Sequence, residues 1–295
     1  MAGLCRNAGT ASTGLAFGRG GRHCGGRSVN RNDFFTFETG QGSDVGCKRK
    51  VNEDSYLSRP EYGLWVVADG MGGHAAGDFA SQTIVHELNS IGVAVSADDL
   101  VARFDERLTR ANDIIRAQAA ALEGGMIGAT VAALLVHQTR FDCIWSGDSR
   151  LYLLRGGQLT QQSRDHTEAR ALLDAGSITA EEAQNWPRKN VITQAIGVSD
   201  KPLCERVSGE LQLGDLFLIC SDGLTEHIAD AEIAETLLRY PPQDASAELI
   251  NETVRRGARD NVTVIVIRCS DAPPPAEDEM LYDLDNSSLD TRSVL

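Results

Sequence analysis

The stretch Gly63-Leu64-Trp65-Val66-Val67-Ala68-Asp69-Gly70-Met71-Gly72-Gly73 places a short apolar run directly before an aspartate and a group of glycines. The apolar run predicts a buried strand that stops at Asp69. The small residues after it let the backbone approach a ligand closely. Taken alone, however, Asp-Gly is most often a turn dipeptide, so this single instance does not establish a binding site.

The same arrangement recurs further along the chain. The other acids at the ends of apolar runs are Asp148 after Phe141–Trp145, Asp222 after Leu216–Cys220 and before Gly223, and Asp260 before Val262–Arg268. Aspartate oxygens are ligands that suit hard divalent cations. The repetition favours a metal site over a set of unrelated turns.

The order of strand-like and helical stretches indicates the fold class. The predicted strands are 34–37, 63–68, 130–136, 141–145, 151–154, 216–220 and 262–268, and the predicted helices are 76–90, 98–122, 231–239 and 245–256. Strands cluster with strands and helices come in pairs, which disfavours the regular alternation of a doubly wound sheet. The pattern predicts an α+β sandwich.

Composition limits the classes of partner. Of the 295 residues, 42% are hydrophobic and 24% are charged, which is typical of a folded protein. The net charge of −14 makes nucleic acid and anionic membranes poor partners, because the protein's own field repels them. Without an apolar run of about 18 residues or a secretory signal, the sequence predicts no membrane span. The seven cysteines form no Cys-x-x-Cys pair, which favours a reducing, cytoplasmic location.

The two ends of the chain differ from its middle in charge. Residues 1–32 contain five arginines and no acid, and they predict a disordered Gly/Arg-rich extension. A start codon placed too far upstream and an organellar transit peptide are the alternatives for this segment. Residues 271–295 carry many acids after three prolines and predict an acidic disordered tail. The folded domain is therefore expected to span residues 33–270, where most of the negative charge lies.

The stretch Arg49-Lys50-Val51-Asn52-Glu53-Asp54 is a candidate phosphate site. By itself such a stretch is most often a solvated charged loop. A guanidinium can, however, hold a phosphate through two parallel hydrogen bonds, and neighbouring carboxylates can bind a metal. Basic and acidic groups side by side suit a site that holds a phosphate on metal ions.

Six short motifs, in order along the chain, resemble those of the metal-dependent (type 2C) Ser/Thr protein phosphatases of the bacterial kind. They are Arg49-x-x-Asn52-Glu53-Asp54, Ala68-Asp69-Gly70-Met71-Gly72-Gly73-His74, Gly128-Ala129-Thr130, Gly147-Asp148-Ser149-Arg150, Ser221-Asp222-Gly223-Leu224 and Asp260-Asn261-Val262-Thr263. The resemblance covers about residues 34–269. It implies a four-layer α-β-β-α sandwich in which two central antiparallel sheets are flanked by helix pairs.

The resemblance also implies a role for each matching residue. Asp69 would bridge two Mn²⁺ or Mg²⁺ ions, the carbonyl of Gly70 would be a further ligand, and Asp222 and Asp260 would complete the pair. Glu53 and Asp54 would act through waters on the metals, and Asp148, together with Asp222, would hold a third, weaker divalent ion. Arg49 would bind the substrate phosphate. The catalytic set would then be Arg49, Asp69 and Asp222.

The implied activity is hydrolysis of phosphoserine and phosphothreonine in proteins by a water that bridges the two metal ions. The expected partners are phosphorylated proteins and a separately encoded Ser/Thr kinase, with no nucleic acid or membrane bound and a monomeric chain. Two alternatives stay open. One is a catalytically silent phosphoprotein-binding regulator of the same fold, and the other is a phosphohydrolase of small molecules.

Two positions depart from the family pattern. Met71 follows Asp69-Gly70 where eukaryotic members carry a histidine, and methionine has no proton to give the leaving group. We expect a metal-held water to serve instead, with His74 as the alternative. In the flap predicted over residues 165–193, Trp186-Pro187 replaces the His-Pro of many bacterial relatives. Such an indole is expected to add apolar surface at the substrate entrance.

Overall fold

A computed structural model describes residues 34–72, 76–122 and 126–271. The described strands are β1 (Phe35–Asp44), β2 (Asp54–Arg59), β3 (Leu64–Met71), β4 (Gly128–Ala129), β5 (Val131–His137), β6 (Arg140–Ser146), β7 (Arg150–Arg155), β8 (Gln158–Gln161), β9 (Glu205–Glu210), β10 (Leu216–Cys220) and β11 (Val262–Asp271). The described α-helices are α1 (Gly77–Asn89), α2 (Ala97–Ala121), α3 (Glu168–Asp174), α4 (Ala180–Gln184), α5 (Asp222–Thr225), α6 (Asp230–Arg239) and α7 (Pro242–Arg255).

The strands form two antiparallel sheets. One sheet has the order β1-β11-β10-β7-β8. The other has the order β2-β3-β5-β6-β9, and the short β4 pairs with the end of β3. The predicted α+β class with two antiparallel sheets is confirmed.

The side chains of β3 point alternately to the two faces of its sheet, and they join two of the hydrophobic cores. Leu64, Val66 and Ala68 lie in the core formed with α1 and α2. The intervening Trp65 and Val67 point to the opposite face of the sheet, into the core between the two sheets. A third core lies under α6 and α7 on the outer face of the other sheet. The four layers are therefore helices, sheet, sheet and helices, as the sequence resemblance implies.

The end of β3 differs from the sequence prediction. The strand does not stop at Asp69, because Gly70 and Met71 continue it and pair with β4. Glycine is required at position 70, since a Cβ there would lie 2.1 Å from the carbonyl oxygen of Gly77. Asp69 is therefore held in a strand rather than in a turn.

Other differences concern polar segments. Asp222 begins the short helix α5 rather than a turn, and Asp54 begins β2 rather than ending a charged loop. The strands β8 and β9 were missed because they are largely exposed and carry polar residues, so no apolar alternation marks them.

In the described part of the chain, none of the helices is long and apolar enough to cross a membrane. The segments predicted to be disordered, residues 1–32 and nearly all of 271–295, lie outside the described residues. Asp271, predicted as the first residue of the acidic tail, ends β11 and pairs with Phe35 of β1.

Candidate active site

Five aspartates gather where strands of the two sheets end. Asp54 begins β2 and is the direct partner of Asp69 near the end of β3. Asp222 follows β10, and Asp260 lies two residues before β11, which pairs with β10. Asp54, Asp222, Asp148 and Asp260 all act electrostatically on Asp69, so the five carboxylates form one cluster.

Asp54 is buried and held by two hydroxyl groups. Ser221 Oγ and Thr263 Oγ1 donate to its Oδ2 atom over 2.8 and 2.7 Å. Burial nevertheless raises the pKa of Asp54 to about 6, because desolvation outweighs these hydrogen bonds. Asp69 is a further side-chain partner of this carboxyl group.

Burial and mutual repulsion raise the pKa of the two central acids, Asp69 and Asp222. The pKa of Asp69 lies well above its ordinary value because of burial, with further repulsion from Asp54 and Asp222. Burial likewise raises the pKa of Asp222, and Asp148 is the largest source of repulsion. The metal-free cluster therefore disfavours full ionisation of its own carboxylates.

Asp148 lies in the tight turn between β6 and β7. Gly147, with φ of 105°, is in the left-handed region, and a Cβ there would lie 2.7 Å from Thr130 Cβ. Its backbone N–H donates to His166 Nδ1 over 3.1 Å, and this bond ties the turn to the beginning of the flap. Burial raises the pKa of Asp148 to about 7, with repulsion from Asp165.

The donor set fits hard divalent cations. As they stand, no three His, Cys, Asp or Glu side chains of the described residues are arranged to hold one ion. Yet Asp148 Oδ1 and Asp222 Oδ1 are both buried without a hydrogen-bond partner. These buried carboxylate oxygens have no hydrogen-bond partner, and repulsion between like charges suppresses the ionisation of the cluster. A cation of charge two or more would bind the oxygens and offset that repulsion. The chemistry of the residues thus agrees with the predicted metal centre.

Arg49 lies beside the cluster on the loop that joins β1 to β2. Its Nη2 donates to Asp260 Oδ2 over 2.6 Å, and its Nη1 lies 3.6 Å from Glu53 Oε2. The hydrogen bond to Asp260 raises the pKa of Arg49. About half of the Arg49 side chain remains exposed, so the guanidinium can also reach a ligand from solvent.

The remaining predicted site residues lie next to these groups. Gly70 is buried on β3, and its N–H donates to the carbonyl of Glu53 over 3.1 Å. Met71 ends β3, and its side chain has no proton to donate. His74 lies outside the described residues. The structure therefore brings together Arg49, Glu53, Asp54, Asp69, Gly70, Asp148, Asp222 and Asp260.

Several supporting residues had no assigned role from the sequence. Thr130 Oγ1 accepts from the N–H of Asp69 over 3.1 Å and is 2.6 Å from Ser149 Oγ. Asn261 binds the loop that carries Arg49 through its side-chain amide. Both lie inside quoted motifs, but nothing in the motif indicates that their side chains bind backbone from distant segments.

A cleft of about 480 Å³ opens beside Asp148 and Asp222. Helices α3 and α4 of the flap form one wall, and Thr225 at the end of α5 forms the other together with Glu226, the next residue. Asn190 Nδ2 donates to Glu226 Oε1 over 2.5 Å and joins the two walls. The cleft is large enough to take a short extended peptide next to the carboxylate cluster.

Trp186, which is expected to add apolar surface at the substrate entrance, does not line this cleft. Its indole N–H donates to Glu168 Oε1 over 3.1 Å, within the flap itself. The described wall of the cleft is formed by α3, α4 and α5 rather than by this ring. Trp186 therefore braces the flap instead of adding apolar surface to the cleft.

Comparison with known proteins gives a family match over most of the described chain. Residues 47–263 match the model of the family described as protein phosphatase 2C. The Serine/threonine protein phosphatase PstP of Mycobacterium tuberculosis is 39% identical over 228 residues, which are 76% of this chain and 43% of that protein. The chain therefore spans less than half the length of this relative. Protein phosphatase PhpP of Streptococcus pneumoniae is 35% identical over 76% of this chain and 94% of its own.

Solved structures show the same fold. PppA of Pseudomonas aeruginosa, described as a key regulatory component of T6SS, has a TM-score of 0.74 and 40% identity, covering 79% of this chain and 98% of its own. The catalytic domain of PstP in complex with two manganese ions has a TM-score of 0.72 and 36% identity, covering 80% of this chain and 100% of its own.

Proposed function

Because the chain belongs to the protein phosphatase 2C family, we propose that it removes phosphate from phosphoserine and phosphothreonine in proteins with the help of divalent cations. The observation that carries this proposal is the cluster of five aspartates, two of them with a buried oxygen that lacks a partner, next to the guanidinium of Arg49. The manganese-bound structure of a relative supports the choice of cation.

The resemblance to the family implies which of these groups would be metal ligands. Asp69, Asp222, Asp260 and the Gly70 carbonyl would hold two Mn²⁺ or Mg²⁺ ions, with Glu53 and Asp54 acting through waters. Asp148 with Asp222 would hold a third, weaker ion. When bound, such ions supply an acidified water for attack on phosphorus and positive charge for the phosphoryl oxygens.

The chain's own groups position the reactants. The guanidinium of Arg49 can hold two phosphoryl oxygens and keep the phosphorus in line for attack. Ser221 and Thr263 donate to one oxygen of Asp54 and so hold its carboxylate in place. Neither Ser221 nor Ser149 has an imidazole partner among the described contacts, since their hydroxyls bind Asp54 and Thr130. A protein nucleophile is therefore not needed in this proposal.

The cleft beside Asp222 would receive the phosphorylated segment of the substrate protein. A separately encoded Ser/Thr kinase would supply that substrate, and we propose that residues 33–270 act as a monomeric cytoplasmic phosphatase domain. Asp148 and Asp222 line this cleft of about 480 Å³, so a phosphorylated side chain on an extended segment would meet the carboxylate cluster there.

The proposal is tested by turnover of a phosphothreonine peptide, with a nucleotide and a sugar phosphate as competing substrates. We expect peptide turnover that requires Mn²⁺ or Mg²⁺, stops with chelator and exceeds turnover of both small molecules. Asp222→Asn should reduce peptide turnover by orders of magnitude while the chain stays folded. Turnover that survives complete metal removal would contradict the proposal. Tight binding of the phosphopeptide without any turnover would favour a binding regulator instead.

A further inference from the structure

Asn261 is almost fully buried, with 3% of its surface exposed, and its side-chain amide is fully engaged. Its Nδ2 donates to the carbonyls of Val45 and Val51 over 2.9 and 3.1 Å. Its Oδ1 accepts from the N–H of Glu53 over 2.8 Å. One side chain thus binds both ends of the loop 45–53 between β1 and β2.

This loop carries Arg49 at its exposed middle, and it has no helix or strand of its own. Among the described residues, the side chain of Arg49 forms ion pairs with Asp260 and Glu53. In the proposed enzyme both acids would be committed to metal ions, so these contacts would no longer fix the guanidinium. The position of Arg49 would then depend on the backbone of its loop.

Other contacts each hold the loop at a single point. The N–H of Cys47 donates to the Ala258 carbonyl over 2.8 Å, and Asn52 Nδ2 donates to Ser43 Oγ over 2.8 Å. Only the Asn261 amide, among the described side chains, reaches backbone groups at both ends of the loop. Asn261 is also the residue next to Asp260, whose Oδ1 accepts from the Asn261 backbone N–H over 2.8 Å.

We infer that Asn261 is a positioning residue that fixes the distance between the phosphate-binding Arg49 and the metal ligand Asp260. Its side chain does not contact the reacting atoms. It acts by holding the loop of Arg49 against the first residues of the strand that follows Asp260. This inference rests on the proposed phosphatase function and assigns a part of substrate binding to a residue outside the predicted set.

The test compares Asn261→Ala, Arg49→Ala and the double variant, with Asn112→Ala as the matched control. Asn112 is equally buried, and its amide also binds backbone, at Gly197 and Ser199. We expect Asn261→Ala to raise both KM for p-nitrophenyl phosphate and the inhibition constant of inorganic phosphate about tenfold, a loss comparable to that of buried hydrogen bonds. kcat and the half-saturating Mn²⁺ concentration should change less than about threefold. Asn112→Ala should leave the phosphate constant unchanged.

The double variant separates positioning from general damage. If Asn261 acts through Arg49, adding Asn261→Ala to Arg49→Ala should not weaken phosphate binding further. Independent, additive losses would overturn the inference. So would an increased Mn²⁺ requirement with unchanged phosphate inhibition, because the effect would then pass through Asp260.

Hydrogen exchange supplies a readout that is independent of turnover. In Asn261→Ala the amides of residues 45–53 should exchange faster, while those of 197–199 should do so only in Asn112→Ala. If Asn261→Ala does not fold, Asn261→Ser keeps a short polar side chain and should show a smaller change in the same direction. Unchanged exchange in 45–53 would overturn the inference. If Arg49→Ala itself leaves phosphate inhibition intact, the proposed role of Arg49 fails, which is a different result from the failure of Asn261 alone.

Discussion

Asp54 and Asp69 face each other directly across β2 and β3. The N–H of Gly70 donates to the carbonyl of Glu53, which makes them a non-hydrogen-bonded pair, the closer of the two antiparallel arrangements, with Cα atoms about 4.5 Å apart. Like charges at such positions destabilise a sheet. The pair is therefore expected to cost stability in the metal-free chain and to be useful only when a cation lies between the carboxylates.

Replacing Asp69 by asparagine should improve stability and abolish activity. Asparagine keeps the size of the side chain but removes one of the opposed charges, so the metal-free variant should be more stable by about 1 kcal/mol, or roughly 2–4 °C in Tm. Turnover with saturating Mn²⁺ should fall by orders of magnitude. Thermal unfolding in chelator and peptide turnover with Mn²⁺ measure the two effects.

Asp142→Asn is the matched control for this prediction. Asp142 is also a buried strand aspartate, but it accepts from Arg140 Nη2 over 2.9 Å and from Ser208 Oγ. Loss of these partners should lower stability by about 1–3 kcal/mol and leave turnover intact. If Asp69→Asn lowered stability as Asp142→Asn does, electrostatic repulsion would not be destabilising the metal-free chain at Asp69.

The stability of the metal-free chain should depend on pH in a defined direction. Burial raises the pKa of Asp54 to about 6 and that of Asp148 to about 7, above the values of an unfolded chain. Folding therefore favours the protonated carboxyls, and this contribution is present at low pH and lost as the pH rises through 6 and 7. In chelator, Tm should be higher at about pH 5 than at about pH 8.

Mn²⁺ provides the control, because it binds the ionised carboxylates and should stabilise the chain more at about pH 8 than at about pH 5. The difference in Tm between the two pH values should then shrink or reverse. A Tm that rises from pH 5 to pH 8 in chelator would contradict the assigned burial of these acids.

Much of the fold could be predicted because its central strands are buried on both faces. Leu216–Cys220 is a continuous apolar run, and it forms β10 within the predicted bounds. The exposed edge strand Glu205–Glu210 could not be recognised, because it joins the sheet by backbone pairing with β6 while most of its residues are exposed. Backbone pairing leaves no mark on the residue types.

The candidate site was predicted as a set of residues but not as a geometry. Four of the five aspartates were found because each lies near the end of an apolar run, and Asp54 was found in the charged stretch that begins at Arg49. The contacts that orient them, such as Thr263 to Asp54, join residues 209 positions apart and depend on the register of two sheets. Sequence patterns with periods of two or 3.6 residues contain no such information.

Asp148→Asn should remove one metal ion without removing the others. Asp148 Oδ1 and Asp222 Oδ1 are both buried without partners, and the two acids repel each other. Calorimetric titration of the variant with Mn²⁺ should show the stoichiometry reduced by one, with the tighter ions retained. Turnover of p-nitrophenyl phosphate should fall by more than about tenfold. Unchanged stoichiometry would mean that Asp148 holds no ion of its own.

Trp186 offers a test of how the flap affects protein substrates. Its indole N–H donates to Glu168, whose carboxylate is also 3.1 Å from Arg188 Nη2, so these contacts join Trp186 and Arg188 to the first residue of α3. Trp186→Phe removes only the hydrogen bond, and Trp186→Ala removes the ring as well. KM for a phosphoprotein should rise severalfold in Trp186→Ala and less in Trp186→Phe, because a loosened flap holds the peptide cleft less well.

Hydrolysis of p-nitrophenyl phosphate is the internal control for these variants, since a substrate without a peptide does not use the cleft between the flap and α5. The rate of this hydrolysis in Trp186→Phe and in Trp186→Ala should equal that of the unsubstituted protein. Glu168→Gln, which keeps an acceptor for the indole but loses the charge that attracts Arg188, should resemble Trp186→Phe in its effect on KM. Equal losses toward the small substrate and the phosphoprotein would show instead that Trp186 supports the metal cluster and not the docking of the peptide.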